Sequence, residues 1–119
     1  MKIRFLLDEN LSPKYKSAIL RLNPQIDIMR VGEVSMPPLG TLDPEILIYL
    51  EMSKRLIVTD NRNTMPTHLE EHWSSGGHIW GLFWLRPNLT LSKAAEELNL
   101  VWGVSEAEEW VDKISWIPF

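Results

Sequence analysis

Short apolar runs that stop abruptly on polar residues organise this chain. Ile3 to Leu7, Leu56 to Thr59 and Ile79 to Leu85 are too short for helices and almost wholly apolar. Such runs read as buried strands. Gln25 to Val31 is a second strand in chain order. Ile114 to Phe119 is a terminal one, with Pro118 placing it near an edge or an end. Helical signals fill the intervals. Ser12-Pro13 pairs an N-cap residue with proline at the first helical position. Tyr15, Ala18, Ile19 and Leu22 then follow on one helical face, and Asn23-Pro24 stops the helix. Gly32 to Leu42, with Pro37-Pro38 and Gly40, reads as a loop. Asp43-Pro44 repeats the cap-plus-proline start ahead of Ile46 to Met52, which is apolar on most sides and therefore buried. A short helix spans roughly Thr67 to Trp73 and is closed by Gly76-Gly77. Leu91 to Leu98 and Ser105 to Val111 are further helices, and Ser105 with Glu108 has capping-box spacing. Strands alternating with helices predict right-handed βαβ units and a mainly parallel sheet covered on both faces.

At 119 residues, the chain suits one domain over 1–119. Its 45% hydrophobic and 24% charged content fits a globular fold rather than a disordered one. A formal charge of −4 argues against a sequence-independent DNA binder, which needs a broad basic face. The absence of cysteine excludes disulfides, thiol nucleophiles and thiolate metal sites. Asp8 and Glu9 interrupt the first apolar run, so it lacks a signal-peptide pattern. No apolar stretch is long enough for a membrane helix. The expectation is a soluble cytoplasmic domain that does not enter membranes.

In an open parallel sheet, ligands bind beyond the carboxyl ends of the strands. Three acidic clusters fall there: Asp8 with Glu9 after the first strand, Asp43 with Glu45 at the second helix, and Asp60 with Asn61 and Asn63 after the third strand. Crowded carboxylates without basic neighbours favour a hard cation such as Mg²⁺ or Mn²⁺. A bound cation of this kind can contact a phosphate oxygen and activate water. The alternative is local: aspartates at these places also cap helices and close turns. Asp43 before Pro44 has the form of an N-cap, and Glu45 suits the positive end of the helix dipole.

LLDENLSP, then DPEIL at 43–47, then RLIVTDNRN at 55–63 come in an order and spacing that resemble the small PIN-like proteins. These are relatives of PIN-domain ribonucleases and toxins of prokaryotic type II toxin–antitoxin modules. The resemblance runs to the terminal ISWIPF, and LLDENLSP is its most specific part. It implies a three-layer α/β/α PIN-like fold and an Mg²⁺ or Mn²⁺ site that cleaves RNA. It also implies a small cognate antitoxin. Asp8, Asp43 and Asp60 are then the catalytic acids, with Glu45, Asn61 and Asn63 as further metal ligands. The family usually has T-x-D-x-D where this chain has Thr59-Asp60-Asn61-Arg62-Asn63, so amides replace both expected acids. That departure lowers the expected metal affinity. It keeps open a non-catalytic PIN-like binding module.

Arg62 lies beside the proposed crevice, where it can bind a substrate phosphate or pair with Asp60. His68-Leu69-Glu70-Glu71-His72 fits the H-x-x-E-H pattern of inverted zinc peptidases. The helix is brief, however, and exposed polar residues are the better reading. The six tryptophans are expected mainly in the core. Trp80 and Trp84 share strand parity and so should point to one face. The apolar C-terminal segment could instead meet a second copy of the chain or the antitoxin.

Overall fold

Each apolar run becomes a four-residue strand, and each strand but the last leads into a helix. The computed structural model describes all 119 residues. In chain order it contains β1 (Arg4–Leu7), α1 (Lys14–Leu22), β2 (Asp27–Arg30), α2 (Asp43–Ser53), β3 (Leu56–Thr59), α3 (Met65–Ser74), β4 (Leu82–Leu85), α4 (Leu91–Val104), a 3-10 turn (Ala107–Trp110) and β5 (Ile114–Ile117). The strands form one wholly parallel sheet in the order β2-β1-β3-β4-β5. Helices cover both faces, giving the three-layer α/β/α architecture.

Side chains alternate across the sheet, as the pleat requires. Phe5, Leu7, Val58, Phe83 and Leu85 pack with Ile19 of α1 and with Leu98 and Val101 of α4. Leu6, Ile57, Leu82 and Trp84 face Ile46, Leu47 and Leu50 of α2, and Met65 and Leu69 of α3. Burying one such Leu or Phe stabilises the fold by roughly 1.5–3 kcal/mol. No helix is long and apolar enough to cross a membrane.

The direction in which the sheet grows reverses once. From β1 the chain steps outward to β2, then crosses back over β1 to β3. The switch point therefore lies between β1 and β3. The connection through α4 departs from the expected uniform hand. It continues in the same direction as the α2 and α3 crossovers yet covers the α1 face, so its hand is opposite to theirs. The reason is coverage: α2 and α3 already occupy one face. Without α4, the other face at Val58, Phe83 and Leu85 would lie open.

Other departures are local. The capping box near the C-terminus is made by Glu106 and Glu109, one residue later than Ser105 and Glu108. The Ser105 hydroxyl instead donates to the Val101 carbonyl at 2.6 Å and accepts from Trp110 Nε1 at 2.9 Å. Trp80 and Trp84 lie on opposite faces, because Gly81 has φ +110° and breaks the strand before Leu82. Only Trp84 is fully buried; the other five tryptophans are half-buried. At the sheet edge away from the switch point, Arg55 Nη1 donates to the Phe5 carbonyl at 3.0 Å and to Asp27 Oδ1 at 2.9 Å, tying β3, β1 and β2 together.

A Cβ at Gly81 would lie 2.8 Å from Leu56 Cδ1 and 3.0 Å from Trp110 Cβ. Gly81→Ala should therefore lower unfolding free energy by about 1–3 kcal/mol. Gly103 in α4 has open space around it. Gly103→Ala should raise stability by up to about 1 kcal/mol through helix propensity. Urea unfolding of both variants measures the contrast.

Candidate functional site

The strand register assembles the site. Leu7 pairs with Val58, so the next residues, Asp8 and Thr59, leave the sheet side by side at the switch point. The Asp8 backbone N–H donates to the Val58 carbonyl at 3.1 Å, holding the carboxylate beside β3. Open α/β sheets take their ligands at this place.

Asp8 Oδ2 accepts from the Thr59 hydroxyl at 2.9 Å, and Oδ1 from the Glu9 backbone N–H at 2.8 Å. Burial pushes the Asp8 carboxyl above its usual value of 3.8. Those two hydrogen bonds oppose the rise, and the negative charges of Asp60 and Asp43 add to it. The three acids expected from the sequence thus share one electrostatic neighbourhood. Asp60 is exposed, and neither it nor Asp8 forms an ion pair.

Asp43 begins α2, but its side chain does not cap the helix. Oδ2 accepts from the Thr64 hydroxyl at 2.7 Å and lies 3.0 Å from His68 Nδ1. A carboxylate only accepts, so Nδ1 carries the proton in this contact. Glu45 is exposed in the first turn of α2. Glu9 turns away from Asp8, and its carboxylate accepts from the Gly40 backbone N–H at 3.1 and 3.2 Å, closing the loop before α2.

Asn61 is used as a donor. Its backbone N–H donates to Thr59 Oγ1 at 3.0 Å, and its Nδ2 donates to Thr64 Oγ1 at 3.0 Å. Each threonine hydroxyl in turn donates a hydrogen bond to an acid. Two chains therefore start at Asn61 and end on Asp8 and Asp43 respectively. Asn61 Oδ1 accepts from the backbone N–H groups of Asn63 and Thr64 at 3.3 and 3.4 Å. The Asn63 side chain is exposed. Aspartate at position 61 could not make the side-chain donation, which gives a physical role to the amide found there.

The donor set suits a hard divalent cation in charge and type. Asp8 and Asp60 bring carboxylate oxygens with no basic partner, and Asp43 Oδ1 makes no hydrogen bond. No three acidic or imidazole groups converge tightly enough to enclose an ion. Water would complete the shell, as Mg²⁺ prefers.

The histidines of HLEEH separate rather than converge. His68 joins Asp43, whereas His72 Nε2 lies 3.0 Å from Glu51 Oε1 on α2. Farther along, His78 Nδ1 meets Asp112 Oδ2 at 2.6 Å, while Asp112 Oδ1 accepts from Trp73 Nε1 and the Ile79 N–H. Those bonds, together with His78, hold the Asp112 carboxyl below its usual value against the opposing effect of burial. This cluster pins the turn after α3, and no local motif announces it. Arg62 forms no ion pair with Asp60; its guanidinium lies 5.2 Å from the Trp116 ring centroid.

A raised folded pKa means the fold disfavours the Asp8 carboxylate. That destabilisation is absent below 3.8 and grows as pH rises through the folded value. Asp8→Asn removes the charge. Its melting temperature relative to wild type should therefore be higher at neutral pH than in acid, as measured by melts across pH. Asn61→Asp removes a donor and adds repulsion, and should destabilise the metal-free protein by about 1–2 kcal/mol in denaturant unfolding.

Compared with known proteins, the chain matches no family model, no curated protein and no solved structure significantly, so the reading of this site rests on its own geometry.

Proposed function

We propose that the acidic switch point binds Mg²⁺ or Mn²⁺ and hydrolyses RNA phosphodiester bonds, as the resemblance of LLDENLSP to PIN-like ribonucleases implies. One observation carries the reading. Asp8 is a partly buried carboxylate whose ionisation is opposed by burial and by two further acids, with no cation of the protein beside it. Folds do not gain stability from such a group, and uncompensated acids at a ligand-binding edge are marks of a functional site.

Asp8, Asp60 and Asp43 would hold the cation, with Glu45 at the margin. When bound, it would supply Lewis acidity toward a phosphate oxygen and a more acidic water. The chain's own residues do the positioning. Thr59 and the Glu9 N–H fix both oxygens of Asp8. Thr64 and His68 fix Oδ2 of Asp43 and leave Oδ1 free to face the cation. In this reading the protein is the cytoplasmic toxin of a type II module, silenced by a small cognate antitoxin.

A second reading is a PIN-like binding module that lacks catalysis. Asn61 and Asn63 in place of acids, and the engagement of Asp43 by His68, favour it. Purified protein with Mn²⁺ should cleave single-stranded or structured RNA, and Asp8→Ala should reduce the rate at least about 100-fold, the scale of lost catalytic electrostatics. Mn²⁺ should also raise the melting temperature of wild type but not of Asp8→Asn. Intact RNA with no metal-induced shift would leave only the binding module.

A further inference from the structure

Asp60 itself helps to line a cleft of about 280 Å³, together with Tyr15, Arg62, Arg86, Asn88 and Leu89. Two cations converge at its rim. The guanidinium carbons of Arg62 and Arg86 each lie 5.2 Å from the Trp116 ring centroid. They arrive from different elements, Arg62 from the loop after β3 and Arg86 from the end of β4. Neither forms an ion pair. Like charges drawn to one ring repel each other, and the ring's quadrupole offsets this only in part. An anion in the cleft that both residues line would offset this charge.

The platform is rigid. Trp116 on β5 packs against buried Trp84, with ring centroids 6.4 Å apart. Arg86 is anchored twice: its backbone N–H donates to the Ile117 carbonyl at 2.9 Å, and its Nε donates to the Pro118 carbonyl at 3.0 Å. With Nε occupied by the protein, its terminal nitrogens remain for a ligand. Planar guanidinium donors match phosphate oxygens.

We infer that Arg62 and Arg86, mounted on Trp116, form a phosphate subsite for single-stranded RNA next to the acidic switch point. The class of ligand follows from the cleft. An acidic protein with isolated basic residues cannot hold a duplex by a broad electrostatic face. Two guanidiniums grip one phosphate of a strand, and the adjoining base rests in the cleft against Tyr15 and Leu89, with the Asn88 amide at its edge. A base can enter only if it is unpaired. The scissile phosphate then falls toward Asp60 and Asp8. The subsite rests on the proposed nuclease reading for its purpose, but its test does not require cleavage.

Fluorescence anisotropy of a labelled RNA of about ten nucleotides, within single-strand site sizes, is measured in EDTA with the full chain. Arg62→Ala and Arg86→Ala should each weaken binding about 5–10-fold and lower the salt slope by about one. Both arginines are exposed, so melting temperatures should stay close to wild type. Arg86→Lys should recover only part of the affinity, since its charge returns without the fork. The same sequence as a duplex should bind at least about 10-fold more weakly, in keeping with recognition of unpaired bases. Undetectable RNA binding, unchanged affinity in the arginine variants, or equal affinity for duplex overturns the subsite. So does equal binding of inorganic phosphate, which would make it an anion site without strand recognition. Arginine-dependent binding without Mn²⁺-dependent cleavage supports the subsite and removes the nuclease. Cleavage that needs Asp8 but neither arginine does the reverse.

Discussion

A parallel sheet with two apolar faces must be covered on both, and the rest of this fold answers that requirement. Phe5 and Leu7 look one way and Leu6 the other, within a strand of four residues. Nothing in β1 could face water on either side without exposing a large side chain. Two helical layers are therefore obligatory. The sheet must reverse its growth for helices to reach both faces through short connections. The reversal leaves a gap at the carboxyl ends of β1 and β3. Asp8 and Asp60 stand at that gap because the chain must turn polar as soon as it leaves the sheet.

The acids are held by hydroxyls and amides, not by counter-ions. Thr59 and Thr64 each accept a hydrogen bond from Asn61 and donate one to a carboxylate. Such an arrangement orients charge without neutralising it. An arginine or lysine in place of either threonine would have fixed the same carboxylate while cancelling its charge. Basic groups are instead kept a short way off, where Arg62 and Arg86 rest on an aromatic ring. Asp60 lines the same cleft as these two arginines, yet it forms an ion pair with neither.

Much of this could be read from the residues, and the failures share a cause. Strand identities, the Asp43-Pro44 helix start and the placing of Asp8 at a strand exit follow from local pattern, which apolar periodicity and proline report faithfully. Asn61 could be placed in the loop after β3, but its role as donor depends on Thr64 and Asp43, which no spacing rule connects. Trp80 and Trp84 obey strand parity only if the strand is continuous, and the backbone of Gly81 interrupts it. Arg55 looks like a surface cation before a strand, yet only 5% of it is exposed because Asp27 and the Phe5 carbonyl receive its donors. Arg86 gave no signal at all, since its partner Trp116 lies on another strand. Long-range pairs are set by topology, and topology includes the contrary hand of the last crossover.

That contrary crossover bears on how the protein is made. Synthesis delivers β1, β3 and β4, together with α2 and α3, before α4 exists. Until Leu98 and Val101 emerge, one face of the sheet has α1 as its sole helical cover, and Val58, Phe83 and Leu85 have no α4 to meet. A nascent chain at that stage carries a half-dressed sheet, the kind of apolar surface that invites association. The segment that completes the core thus arrives late and closes the molecule from the side opposite to α2 and α3.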